Sequence, residues 1–195
     1  MTNAEIILRE LDRRLSSRVE LNLFGRAALS LGFEHPREEF GHSLDVDAVL
    51  PVGAAEAFLE NTNFWKAVEQ TNEALAPRDL YVSHFFTEDQ VILTERWMEK
   101  RIPIQGDWER ITLFRLSDED LLLSKLMRDD PHDFEDALFI VETRDWNGAD
   151  VKAIVNQARI PDSSEIREEF AKARDRIITH LEGTGPDREL STIVD

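Results

Sequence analysis

The sequence predicts an α+β fold, in which a mixed β-sheet is flanked by helices and followed by a helical C-terminal region. Short segments with alternating apolar residues, typical of strands, recur between about residues 18 and 116. Segments with apolar residues at helical spacing separate these strands, and only such segments follow residue 116. We therefore predict an α/β core over residues 1–116, helices packed on it over 117–182, and a disordered tail over 183–195.

The composition indicates a globular protein with an acidic surface. The chain has 195 residues, of which 42% are hydrophobic, enough for one domain or one domain with a small appendage. Its net charge of −17 argues against broad nonspecific nucleic-acid binding and suits a basic protein partner. The absence of cysteine excludes disulfides and thiolate sites. The N-terminus lacks a signal-peptide pattern and no apolar run approaches the length of a membrane span, so we expect a cytoplasmic protein.

The first elements are a helix over about residues 2–17, a strand over 18–24 and a short helix over 27–31. Gly25 and Arg26 join the strand to the short helix. A glycine at such a junction lets the backbone approach a ligand closely, and the free N–H groups of the helix favour a phosphate. A tight structural turn explains the same glycine equally well.

The segment Gly41–Leu50 is the most informative predicted strand. Because successive residues of a strand point to opposite faces, Asp45 and Asp47 share one face, about 7 Å apart. Two carboxylates on one face repel each other unless a positive charge lies between them. A hard divalent cation such as Mg²⁺ binds oxygen ligands of this kind, so both aspartates are candidate metal ligands. A solvent-facing strand with two acidic residues is the plainer alternative.

The later elements follow from their apolar spacing and their caps. Ser117 caps one helix, and Asp130 with Pro131 begins the next, because aspartate is a favoured cap and proline suits the first helical position. The buried stripe of that helix is predicted to be Phe134, Ala137, Leu138 and Val141, with Asp133 and Asp136 beside it. The remaining predictions are helices over residues 54–76 (interrupted near 61–63), 150–159 and 163–181, and strands over 80–86, 91–95, 97–104 and 111–116.

Taken in order, these elements resemble the nucleotidyltransferase fold superfamily. Its pattern of strand, glycine-containing turn, helix and Asp-x-Asp strand matches residues 19–31 and Asp45-Val46-Asp47. The second half is similar to uncharacterised bacterial nucleotidyltransferase-like proteins related to abortive-infection nucleotidyltransferase toxins. The segments Asp120–Arg128 and Pro131–Asp136 carry that likeness.

The resemblance implies Mg²⁺- or Mn²⁺-dependent transfer of a nucleoside monophosphate from a nucleoside triphosphate to an acceptor. The acceptor could be RNA, a protein hydroxyl or a small molecule, in a toxin–antitoxin or phage-defence system. Asp45 and Asp47 would be the catalytic metal ligands. Lys125 would supply a cation to the triphosphate, and Asp133 and Asp136 would position Lys125, Arg128 or the acceptor. The implied nucleotide-binding residues are Gly25, Arg26, Ser43, Lys125, Asp133 and Asp136.

Several of these residues have structural alternatives. Asp133 could be an acid favoured by the helix dipole in a first turn. Lys125 could be an ordinary exposed lysine, and Asp136 could pair with Arg128 or Arg144.

The chain also departs from the superfamily pattern at two places. Arg26 stands where a small residue is usual, and the strand over residues 80–86 offers no third carboxylate, for which Glu95 or Asp107 would have to substitute. These departures favour the alternative of a catalytically inactive binding or interaction module.

Overall fold

The computed structural model describes residues 1–183 and has a mixed α+β fold, as predicted. Of the predicted tail, Gly183 ends the last helix, and residues 184–195 lie outside the described part. The helices are α1 (Asn3–Arg14), α2 (Gly25–Gly32), α3 (Val52–Leu59), α4 (Thr62–Leu75), α5 (Trp97–Lys100), α6 (Asp118–Lys125), α7 (Pro131–Thr143), α8 (Gly148–Val155) and α9 (Ser164–Gly183). The strands are β1 (Val19–Phe24), β2 (Asp45–Leu50), β3 (Tyr81–Thr87), β4 (Leu93–Thr94), β5 (Ile102–Pro103), β6 (Ile111–Arg115) and β7 (Ala158–Arg159).

The main sheet has five strands in the order β3-β2-β1-β6-β5. β1 pairs antiparallel with β2 and parallel with β6, and β2 pairs parallel with β3, so the sheet is mixed. Both edges are protected against further pairing. The side chain of Asn72 donates to the carbonyl of Val82 and accepts from its N–H, and Pro103 lies in the opposite edge strand.

Helix α1 forms where the sequence predicts it, because its cap and its apolar stripe agree. Thr2 and Glu5 complete a reciprocal capping box at its N-terminus. Ile7, Leu8 and Leu11 are wholly buried, and the helix contacts β2, α2 and α4. Helix α1 therefore closes the core over the strand that carries the two aspartates.

Helix α6 joins the C-terminal helices to α2 and β4. Leu121, Leu122 and Leu123 are wholly buried, and the helix contacts α2, α7, α8 and β4. One cluster of buried apolar residues includes members from both sides of residue 116, so the C-terminal helices share the core of the sheet region. Within the described residues, no helix is both long enough and apolar enough to cross a membrane.

Three predicted elements differ from the structure. Residues 97–104 form a helical turn and a two-residue strand instead of one strand, because Trp97 turns inward and is 99% buried. The strand predicted over 91–95 shortens to β4, which pairs with β7 in a separate sheet. The helix predicted over 150–159 ends at Val155, and its last residues form β7.

The buried face of α7 is also rotated from the predicted stripe. Phe134 and Leu138 are half-buried, whereas Asp133 and Asp136 are buried, Asp136 completely. Burial of two carboxylates is tolerated only where cations neutralise them, and apolar periodicity carries no information about such partners.

Candidate functional site

A cleft of about 610 Å³ lies between the main sheet and the junction of α6 and α7. The N-terminal end of α2 and strands β2 and β3 line one part, and residues 124–133 line the other. The predicted site residues that line the cleft are Gly25, Arg26, Ser43, Asp45, Asp47, Lys125 and Asp133. Asp136 does not line it and contacts two of these side chains from behind. The fold therefore gathers residues that the sequence spreads over more than a hundred positions.

The glycine at the end of β1 has the geometry that a strand-to-helix junction requires. Gly25 has a φ of +66°, which favours glycine, and a Cβ there would lie 3.8 Å from Oδ2 of Asp47. The sequence predicted Gly25 and Arg26 as a turn before the helix, but α2 begins at Gly25 itself, so Arg26 lies in the first turn of the helix. The N-cap Phe24 offers no side-chain acceptor, which leaves the first N–H groups of the helix for solvent or an anion.

Asp45 and Asp47 both border the cleft from β2, as the strand alternation predicts. Oγ of Ser43 donates to Oδ1 of Asp45 over 3.0 Å. Burial raises the pKa of Asp47, and the neighbouring Asp45 raises it further, while a hydrogen bond from the backbone N–H of His84 acts in the opposite direction. A cation between the two carboxylates would relieve both destabilising effects.

A β-bulge in β3 lies opposite Asp47. Val46 pairs with Val82 and Ala48 with Phe85, so two residues of β3, Ser83 and His84, oppose the single Asp47. The backbone N–H of His84 donates to Oδ1 of Asp47 over 3.2 Å, and Nδ1 of its ring lies 3.5 Å from the same oxygen. The bulge thus brings an imidazole to the carboxylate pair.

The donor set fits a divalent cation held jointly with a ligand. Mg²⁺ is commonly bound by one or two carboxylates together with substrate phosphates, and two carboxylates are available at this position. Among the described residues, no three His, Asp or Glu side chains already enclose a metal-sized position. The protein would therefore supply part of the coordination, and phosphates or water the rest.

The other part of the cleft carries a network of three cations and two buried carboxylates. Nζ of Lys125 donates to Oδ1 of Asp133 (3.0 Å) and to Oδ2 of Asp136 (2.7 Å). Nε and Nη2 of Arg26 grip both oxygens of Asp136 at 3.0 Å, and Arg128 donates twice to Asp133. Hydrogen bonding to Asp136 raises the pKa of Arg26. The network has a formal charge of +1 and presents Arg26 and Arg128 toward solvent.

This network decides between the alternatives for Lys125 and Asp136. Lys125 is not an ordinary exposed lysine, because 91% of its side chain is buried. Asp136 pairs with Arg26 and Lys125 and not with Arg128 or Arg144. Asp133 lies in the first turn of α7, as the helix-dipole explanation requires, and it also binds Lys125.

His84 also borders the cleft, although no role was predicted for it from the sequence, because the spacing of the histidines is not that of metal ligands. Its place beside Asp47 depends on the pairing of β3 with β2, which spacing in the sequence does not show. Glu95 and Asp107 cannot substitute for a third carboxylate in this arrangement, since each lines a different groove. Phe86 and Met127, which give the cleft its apolar lining, carried no sequence signal beyond that of core residues.

Comparisons with protein-family models, with curated proteins and with solved structures found no match to this chain. The resemblance to the nucleotidyltransferase superfamily therefore stays a prediction. The chemistry available to the cleft follows from its carboxylate pair, its cation network and the uncapped end of α2.

Proposed function

We propose that this protein binds a nucleoside triphosphate with Mg²⁺ or Mn²⁺ in the cleft and transfers the nucleoside monophosphate to an acceptor, breaking the bond between the α- and β-phosphates and releasing pyrophosphate. One observation carries the proposal: a single cleft combines a carboxylate pair with a cation network and an uncapped helix N-terminus. Metal-bound polyphosphates need both kinds of group, because oxygen donors hold the metal and cations bind the remaining phosphate charge.

Asp45 and Asp47 would hold the metal ion, which, when bound, supplies positive charge beside the reacting phosphate. Arg26 uses Nε and Nη2 on Asp136, so its Nη1 group remains for a phosphate oxygen. Arg128 is 73% exposed and can reach a ligand from the rim. Lys125 is buried between two carboxylates, so it acts by fixing Asp133 and Asp136 and by keeping the network positive.

The acceptor is RNA, a protein hydroxyl or a small molecule. The net charge of −17 disfavours a long RNA and favours a basic protein partner, whose binding should weaken with added salt. A cytoplasmic role in a toxin–antitoxin or phage-defence system is proposed from the resemblance alone.

A second candidate is a nucleotide-binding module without turnover. It is favoured by the lack, in the described part of the chain, of a third acidic side chain beside Asp45 and Asp47. Such a site could bind a nucleotide and yet offer no carboxylate base to the acceptor hydroxyl.

The test is calorimetric binding of each nucleoside triphosphate in the presence of Mg²⁺, on the wild type and on Asp45→Asn/Asp47→Asn. The matched control, Asp162→Asn/Asp175→Asn, makes the same change of charge at side chains that are 97% and 68% exposed. We expect metal-dependent binding to be lost in the first double variant and kept in the control. Wild type that binds no nucleotide would refute both candidates.

A transfer assay then separates the two candidates. Nucleoside triphosphate labelled at the α-phosphate is incubated with the protein and with RNA, protein and small-molecule acceptors. Label transfer that requires both aspartates supports the enzyme. Binding without any transfer supports the module.

A further inference from the structure

We propose that His84 is a third donor to the metal site of Asp45 and Asp47 and shifts its preference from Mg²⁺ toward transition-metal ions such as Mn²⁺. The inference rests on the proposed function, because it takes the two aspartates as metal ligands. It adds a residue at which this chain departs from an all-carboxylate site.

The bulge in β3 fixes the position of His84. Its backbone N–H is tied to Oδ1 of Asp47, which holds the Cα of His84 beside the carboxylate. Its ring packs against Phe86, with centroids 5.4 Å apart and planes inclined by 33°. The side chain is 68% exposed yet borders the cleft, so a ligand in the cleft can reach the imidazole.

The distance between donors suits shared coordination. Two ligands at right angles, each about 2.1 Å from one ion, lie about 3 Å apart. Nδ1 of His84 and Oδ1 of Asp47 are 3.5 Å apart, close to the separation of two atoms bound to one ion. The hydroxyl of Ser83 also contacts Nδ1, and an ion would replace that contact. Among the described residues no three His, Asp or Glu side chains enclose a metal position, so Asp45, which accepts a hydrogen bond from Ser43, would join the set only by moving toward the pair when an ion binds.

The chemistry of the third donor decides the metal. Mg²⁺ takes oxygen ligands and loses its bound water reluctantly. First-row transition ions also accept imidazole nitrogen as a ligand. A site of two carboxylates and one imidazole therefore binds Mn²⁺ better, relative to Mg²⁺, than a site of three carboxylates. The nitrogen of His84 also stands at the same position along its side chain as a carboxylate oxygen of aspartate would.

Because Nδ1 of histidine and a carboxylate oxygen of aspartate stand at the same position along the side chain, His84→Asp is the decisive variant. Mn²⁺ and Mg²⁺ are titrated separately by calorimetry into the full chain, as wild type, His84→Ala, His84→Asp and the control His35→Ala, which removes an exposed histidine outside the cleft. We expect His84→Ala to weaken Mn²⁺ binding by about tenfold or more and to change Mg²⁺ binding little. We expect His84→Asp to strengthen Mg²⁺ binding, and His35→Ala to match the wild type.

Pulsed electron paramagnetic resonance of bound Mn²⁺ provides a direct readout. Coupling to an imidazole nitrogen is expected in the wild type and should vanish in His84→Ala. If Mn²⁺ binding needs the two aspartates but shows no nitrogen coupling, and His84→Ala binds as the wild type does, the inference is wrong while the proposed function stands. If the wild type binds neither metal, even with nucleotide present, both are wrong.

Discussion

Replacing Asp136 by asparagine probes the ion-pair network that joins α2 to the C-terminal helices. Asp136 is wholly buried and receives hydrogen bonds from Arg26 (twice, at 3.0 Å) and from Lys125 (2.7 Å). The substitution removes the negative charge of Asp136 and leaves the buried Lys125 with a single acidic partner. Removing one partner of a buried ion pair costs about 3–5 kcal/mol, and asparagine keeps one acceptor, so we expect about 3 kcal/mol. For a chain of this size, that lowers Tm by about 6–12 °C.

Thermal and urea unfolding followed by circular dichroism measure this loss. The control Glu142→Gln removes an exposed pair with Arg37, which is worth less than about 1 kcal/mol. The double variant Lys125→Met/Asp136→Asn removes both buried charges, keeps the network at +1, and should recover much of the stability. An Asp136→Asn protein as stable as the Glu142→Gln control would contradict this account of the network.

Three further predictions concern single positions. Gly25→Ala should lower the free energy of unfolding by about 1 kcal/mol, because the φ of Gly25 is +66°. Gly53 lies in a helix with open space around it, so Gly53→Ala should leave the stability unchanged or raise it. Urea unfolding midpoints compare the two variants. Burial, and then a neighbouring carboxylate, raise the pKa of Asp47, so its ionised form opposes folding. Without metal, Asp47→Asn should therefore melt above the wild type at pH 7, and the difference should shrink as pH falls toward 3.8; equal Tm values at pH 7 would refute this. Asp12→Ala should cost about 3 kcal/mol in urea unfolding, because its carboxylate accepts three backbone N–H groups of residues 109–111, and Asp12→Asn should cost less.

The cations and carboxylates of the cleft come from segments that are far apart in the sequence. Arg26 and Asp136 are separated by 110 positions and meet only because α6 and α7 pack beside α2. The C-terminal helices thus supply half of the candidate site and cannot be removed without exposing Arg26. We expect a chain truncated after β6 to lose nucleotide binding even where the aspartate strand remains.

The sequence by itself determined the elements whose cause is local. The capping box of Thr2 and Glu5, the Asp130 cap of α7 and the shared face of Asp45 and Asp47 all follow from interactions within a few residues. Such interactions repeat with the period of the helix or the strand, so they are visible in a linear pattern. The mixed α+β class follows from the same patterns.

Only the tertiary structure decided which polar groups meet. Nothing in the periodicity of α7 indicates that Asp133 and Asp136 face inward, because their burial depends on cations from α2 and α6. The register shift that brings His84 to Asp47 depends likewise on how β3 pairs with β2. Buried charges and strand registers are set by partners that are distant in the sequence. An apolar pattern indicates that a segment prefers burial, but it does not indicate which segment it packs against.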